Sequence, residues 1–259
     1  TVMDWTNMAF DYQSARIEVD THTHTVLSGH AWSTLMENAR YAAETGLKGL
    51  CTTEHAHCIV GTAPPLLPGT FHMLPPELFG VQLFMGLEFN ILDYEGNIDP
   101  YASKHFNQIR FGIASMHRDV IEPGTANQHT EAYLAALEHP LVDVLGHPGT
   151  VAYPCDIPAV VAAAKAQSKM IELNNNSFLA RPGGRGNCLA YARECMRQDV
   201  RVCVSSDAHF AHSVGVVNLS MELLAEVDFP PELILNLRMD GFLAYLQQER
   251  ARRIDGYKT

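Results

Sequence analysis

The 259-residue sequence has no apolar run approaching the roughly 20 residues that a membrane helix needs. It is also poor in positive charge. Its 18 Lys and Arg against 29 Asp and Glu leave a formal net charge of -11. A nucleic-acid surface needs clustered Lys and Arg. The densest basic groups are "ERARR" at 249–253, which reads as a solvated helix end, and "ARPGGR" at 180–185. Binding to nucleic acid is therefore not expected. None of the six cysteines (Cys51, Cys58, Cys155, Cys188, Cys195, Cys203) forms a C-x-x-C pair. Cys51 and Cys203 sit in apolar runs, so reduced thiols packed in a core are expected, and the cytoplasm is the default location. No repeat, low-complexity tract or polar linker divides the chain. The reading is one domain over 1–259, with an N-terminal extension at 1–15 and C-terminal helices at 220–259. The N-terminal stretch lacks a basic region followed by an apolar block, so it does not read as a secretory signal.

Short apolar, β-branched stretches recur: "RIEVDTH", "LKGLCTTEH", "VQLFMGLEF", "RFGIASMH", "LVDVLGH", "KMIELNN" and "VRVCVSSDAH". Each reads as a buried strand. Helical patterns lie between several of them. "STLMENARYAAETG" has Ser33 or Thr34 as N-cap, Met36, Ala39, Tyr41 and Ala43 for the core, and Gly46 as its stop. "TEAYLAALEHP", "DIPAVVAAAKAQS" (capped by Asp156, with Pro158 in its first turn) and "NCLAYARECMRQ" follow suit. The last polar residues of the strands are His22, His55, Glu88, His117, His147, Asn175 and Asp207, spaced 33, 33, 29, 30, 28 and 32 apart. One βα unit takes about 30 residues. Seven units therefore follow one another, with a hairpin around "DYEGN" in the third connection and two helices, "SMELLAEVD" and "PPELILNLRMDGFLAYLQQER", after Asp207. The expected fold is α/β, a distorted (β/α)7 TIM-like barrel.

Working residues of such barrels project from the C-terminal strand ends. Here those ends carry ligand-type side chains at one phase of the period. "DTHTHTVLSGH" crowds three of the thirteen histidines into nine residues. On an extended chain residues i and i+2 share a side, so His22 and His24 can offer two imidazoles to one ion. Asp207 and His209, in "DAH", repeat the pair on the last strand, which barrel closure brings beside the first. The candidate metal ligands are His22, His24, His30, His55, Glu88, His117, His147, Asp207 and His209. Nine ligands exceed the four that one tetrahedral ion takes and suit three ions, with Glu88 shared between two. Imidazole mixed with carboxylate favours Zn, Mn or Fe over Mg or Ca. Asp20, two residues before His22, is the expected hydrogen-bond support for the site. His57, His72, His105, His129, His139 and His212 fall off the phase.

The motifs "VDTHTHTVLSGHAWSTL", "GLCTTEH", "GLEFNI", "ASMH", "LGHPG", "ELNNNSF" and "SSDAH", spread from about residue 16 to 240, resemble the PHP (polymerase and histidinol phosphatase) family. The match is most similar to its free-standing YcdX-like phosphatases. The resemblance implies a distorted (β/α)7 barrel, the PHP fold, with a three-metal centre at the strand C-termini. His22, His24, Glu88 and Asp207 would hold one metal, Glu88, His117 and His147 the second, and His30, His55 and His209 the third. Possible trimers are also implied. One departure is Glu54, where the family usually has Asp before the histidine. It bears on the orientation of His55. Ser115, Met116 and Arg118 differ too and bear on substrate choice.

Such a cluster suits hydrolysis of a phosphate monoester by water activated between two ions. Three divalent ions against two carboxylates and a hydroxide leave a local charge of about +3, so an acidic protein can still attract phosphate. Glu88, Asp207 and His209 are the candidate catalytic residues, and Arg118, Arg181 and Arg185 the candidate phosphate clamps. Asn174, Asn175 and Asn176 could orient substrate. The expected partner is a small phosphorylated metabolite; L-histidinol phosphate, a nucleotide, a sugar phosphate and a cofactor phosphate all fit. Three rival readings stand: phosphodiester cleavage, C–N hydrolysis of the amidohydrolase type, and a non-enzymatic metal-binding protein. The amidohydrolase type often bridges its ions with Lys, and here no Lys ends a strand.

Overall fold

The computed structural model describes residues 10–12, 14–101, 103–181 and 183–257. Most of the expected N-terminal extension, residues 1–9 and 13, lies outside them. The described strands are β1 (Val19–Thr23), β2 (Gly49–His55), β3 (Glu77–Leu78), β4 (Val81–Asn90), β5 (Phe111–Ser115), β6 (Val144–Leu145), β7 (Met170–Asn174) and β8 (Val202–Ser205). Seven of them pair in parallel in the order β1-β2-β4-β5-β6-β7-β8 and form a nearly closed barrel, as the thirty-residue period predicts. The short β3 was not expected; it pairs antiparallel with β4. The third connection is the hairpin read from "DYEGN", with Ile91 bridged to Ile98.

Local chemistry sets the helix ends. Thr34, not Ser33, caps α1 (Leu35–Thr45) in a capping box with Glu37, and Gly46 ends it at φ 85°. Ser33 Oγ instead accepts from the Ala211 amide at 2.8 Å. Met36 is exposed, contrary to expectation. Ala39 is buried as expected, Tyr41 and Ala43 pack partly buried against the core, and Asn38 and Ala42 complete the buried face of α1. Thr125 and Gln128 form a second capping box on α2 (Ala126–Ala136). Asp156 caps α3 (Ile157–Ala166), with Pro158 in its first turn. A short α4 (Ser177–Ala180), then α5 (Arg185–Gln198) and α6 (Asn218–Ala225), continue the ring. The four buried cysteines, Cys51, Cys188, Cys195 and Cys203, are free thiols. Among the described residues no helix is long and apolar enough to cross a membrane.

The expected long last helix is broken. Residues 231–237 form two short 3-10 turns, and helix resumes only as α7 (Met239–Ala244), a π turn (Tyr245–Arg250) and α8 (Ala251–Tyr257). The break has a use. β1 and β8 form no ladder with one another among the described residues; at the top the chain is joined by the Thr23–Ala208 bridge. Asn236 fills the gap below. Its Nδ2 donates to the Val19 and Val204 carbonyls at 2.7 and 2.6 Å, and its Oδ1 accepts from the Val204 amide at 2.9 Å. One side chain thus replaces the missing ladder.

The C-terminal segment plugs the barrel floor. Phe242, Tyr245 and Leu246 bury against Val19, Cys51, Phe84, Phe111, Val144, Met170 and Cys203, one residue from each parallel strand. "ERARR" is not a solvated end. Arg250 is 6% exposed, and it donates to buried Asp143 at 2.9 Å, as Arg253 does at 2.5 Å. Because side chains alternate along a strand, the face that carries this apolar floor carries other residues higher up. On β4 it runs Phe84, Gly86, Glu88; on β7, Met170, Glu172, Asn174; past β8, Cys203, Ser205, Asp207.

Asn236→Ala leaves three buried backbone groups without partners. At about 1–3 kcal/mol for each orphaned group, urea unfolding should show a loss of at least about 3 kcal/mol. Hydrogen exchange at the Val204 amide should accelerate.

Candidate active site

At the C-terminal strand ends a cavity of about 840 Å³ opens, lined by His30, His55, Ile59, Val60, Glu88, His117, Asp119, Asn176, Arg181, Asp207 and His209. His22, His24 and His147 lie beneath it, buried. All nine residues singled out for metal meet here. Glu88 is the hub. Its Oε2 lies 3.3 Å from His22 Nε2, 3.5 Å from His24 Nε2 and 3.0 Å from His55 Nδ1. Its Oε1 lies 3.3 Å from His117 Nε2 and 2.9 Å from His147 Nε2. Asp207 Oδ1 stands 3.3 Å from His24 Nε2 and 3.6 Å from His22 Nε2. His209 Nε2 and His30 Nε2 are 2.9 Å apart at the rim. In-register pairing of His55 with Glu88 across β2 and β4 puts these two at one height.

The protons show what the cluster can hold. His22 Nδ1 donates to Glu172 Oε1 at 2.6 Å. Ser28 has one hydroxyl proton, and it goes to Glu54 Oε2 at 2.6 Å. Ser28 Oγ must therefore accept from His24 Nδ1, at 3.0 Å, and from the His55 amide, at 3.0 Å. Both rings thus spend a proton on Nδ1, and their Nε2 atoms approach to 3.0 Å. Two lone pairs at that distance repel unless a cation stands beside them. The buried atoms His55 Nδ1 and His117 Nε2 have no hydrogen-bond partner although both face Glu88. Convergent lone pairs, orphaned ring nitrogens and carboxylate oxygens fit divalent cations. Three groups bring their donor atoms within 4.8 Å: His22–His24–Glu88, His55–Glu88–His117 and His24–His55–His209.

The charges agree. Burial works against protonated His22, but Glu172, Glu88 and Asp207 outweigh it and hold its pKa well above the ordinary value. A proton fills the gap that a cation would. Burial pushes His24 down to about 4 and His55 well below its usual range, so both present neutral imidazoles. Burial also works against ionised Glu88 and Asp207, yet the histidines, with Arg181 at Asp207, keep both carboxyls well below normal. His147 and Asp207 take left-handed backbone, φ 32° and 53°, strain of a kind that clusters at functional sites.

Several supporting roles differ from expectation. Asp20 does not touch the ring of His22. It accepts from the His22 amide at 3.4 Å and from the Ser206 and Gly215 amides at 3.1 and 2.7 Å, so it supports the site through the backbone and pins the loop after β8. The carboxylate on His22 is Glu172, which also accepts from the His147 amide at 2.6 Å and from Ser205 Oγ at 2.6 Å. The last-polar-residue rule passed over Glu172 in favour of Asn175, whose side chain faces away and accepts from the Leu219 and Ser220 amides. The overlooked signal was strand parity: Glu172 and Asn174 share the inner face. Glu54 acts on His24 through Ser28 and does not contact the His55 ring. Of the arginines, only Arg181 reaches the cavity, with both terminal nitrogens 3.3 Å from Asp207 Oδ2. Arg118 is exposed and does not line the cavity, and Arg185 pairs with Glu226 outside it.

A scan of the chain against family models finds no match. Comparison with curated proteins does. A protein described as a probable phosphatase from Acetivibrio thermocellus is 42% identical over 235 residues, which cover 90% of this chain and 97% of that protein. Another from Caldicellulosiruptor saccharolyticus is 39% identical over 231 residues, covering 89% and 96%. The chain belongs to this family of phosphatases. The fold agrees: histidinol phosphate phosphatase from Lactococcus lactis, solved with zinc, L-histidinol and phosphate, superposes with a TM-score of 0.55 at 19% identity, covering 82% of this chain and 93% of that one.

For this phosphatase-family site, the donor set predicts stabilisation by metal. Zinc added to chelator-treated protein at about 100 times its Kd should contribute about 2.7 kcal/mol. That corresponds to a Tm rise of about 5–10 °C for a chain of this size. Glu88→Ala should abolish the rise.

Proposed function

We propose that this chain is a metal-dependent phosphatase of the PHP type that hydrolyses small phosphate monoesters. The observation that carries the reading is Glu88: each of its oxygens faces a separate set of imidazoles, with Arg181 at the mouth above. His22, His24, Glu88 and Asp207 would hold one divalent ion, Glu88, His117 and His147 a second, and His30, His55 and His209 a third. Zinc suits the donors first, and manganese or iron next. When bound, such ions supply Lewis acidity toward phosphoryl oxygens and lower the pKa of water.

The chain's own residues do the rest. Arg181, half-buried at the rim, donates toward the open cavity and can trade Asp207 Oδ2 for phosphate oxygens. Asn174 and Asn176 donate to the same oxygen at 3.1 and 3.5 Å, so Asp207 stays in place when the guanidinium moves. Asp207 and His209 line the open side of the cluster, the side from which the leaving group departs. Ile59 and Val60 form an apolar wall for the leaving group. A concave cavity of about 840 Å³ suits a metabolite, and a net charge of -11 disfavours a nucleic-acid strand.

A panel of phosphate monoesters, with bound metal measured in the same samples, tests the reading. Turnover should track metal content, and Glu88→Ala should lose both. Arg181→Ala should keep metal but lower kcat/KM by about 100-fold, as loss of one transition-state donor does. Metal-loaded protein that cleaves only phosphodiesters or amides, or nothing, would replace this reading with one of its rivals.

A further inference from the structure

The third βα unit carries a hairpin in place of a helix, and the hairpin returns the chain to the barrel at Asp99. Asp99 is 2% exposed. Its Oδ2 accepts from the Asn90 amide at 2.6 Å and from Asn90 Nδ2 at 3.0 Å. Its Oδ1 accepts from the Cys58 amide at 2.8 Å and again from Asn90 Nδ2 at 3.3 Å. His57, Cys58 and Asp99 do bring donor atoms within 4.8 Å. Four hydrogen bonds already occupy the carboxylate, however, so this trio is scaffold and not a further ion site.

A carboxylate only accepts. The Asn90 amide must therefore turn its NH2 to Asp99 and its Oδ1 to His117, whose Nδ1 lies 2.8 Å away. An amide oxygen also only accepts, so His117 must carry its proton on Nδ1. In the neutral ring that leaves the lone pair on Nε2, a buried atom without a hydrogen-bond partner and 3.3 Å from Glu88 Oε1. Which nitrogen of a ligand histidine is free is set by the bond that the other makes.

We infer that Asp99, acting through Asn90, is a positioning residue that holds His117 as the Nδ1–H tautomer with Nε2 open toward Glu88. This rests on the reading of His117 as a metal-facing residue. The tautomer is nevertheless a property of the metal-free chain and is measured without turnover.

The test is the ring 15N signature of His117 in metal-free, labelled protein, assigned with His117→Gln, together with zinc affinity by competition with a chromophoric chelator. Wild type should show Nδ1–H. Asp99→Asn lets the Asn90 amide reverse, so His117 should shift to Nε2–H or to a mixture. One equivalent of zinc should then bind about 10–100-fold more weakly. The double swap Asn90→Asp with Asp99→Asn again sets an accept-only oxygen against His117 Nδ1, now a carboxylate oxygen in place of the amide oxygen, with the new amide donating to it. It should restore both signals. Should Asp99→Asn not fold, the double swap decides: Nδ1–H with near-wild-type zinc affinity supports the relay, and loss of either overturns it. Wild type already in the Nε2–H form, or Asp99→Asn with unchanged tautomer and affinity, also overturns it. Wild type with Nδ1–H that binds no zinc would instead sink the metal reading and leave the relay standing.

Discussion

Five imidazoles meet one carboxylate at Glu88, and the upper half of this barrel is organised around that contact. A buried carboxylate and buried imidazoles each cost several kcal/mol when left uncompensated. Here they compensate one another, and the balance is incomplete. More lone pairs than protons point into the centre, which is what makes the cluster a receptor for cations and not merely a buried ion pair. The proton held by His22 marks where positive charge is wanted.

That arrangement survives only because other residues decide where each proton goes. Glu172 does so for His22, Ser28 with Glu54 for His24, and Asn90 with Asp99 for His117. Glu172 reaches His22 across the barrel from β7, whereas Ser28 with Glu54 and Asn90 with Asp99 act between neighbouring strands. Closure is itself unusual. β1 and β8 meet at the top, where Ala208 accepts from the His24 amide at 2.9 Å, while Asn236 spans the gap below. The plug of Phe242, Tyr245 and Leu246 fills the floor, held through Arg250 and Arg253 to Asp143.

Much of this was legible in one dimension. The thirty-residue spacing gave the number of parallel strands, Thr34, Asp156 and Gly46 marked helix ends, and the i,i+2 pairs His22/His24 and Asp207/His209 did come face to face. The misreadings share a cause. Sequence neighbourhood misplaces Arg118, Arg185 and the "ERARR" run, because their roles depend on which way a side chain points. Glu172 lies mid-strand, where no strand-end rule finds it, and strand parity turns it inward.

Amino-acid order alone determined the alternation of strand and helix and the phase at which ligand-type side chains recur, because both follow from backbone periodicity and local capping. Tertiary structure alone decided which carboxylate steadies which histidine, which arginine reaches the cavity, and how the seam is sealed. Those choices depend on contacts between residues up to about two hundred positions apart, and hydrogen-bond partners at that separation are selected by the closed barrel and not by the chain next to them.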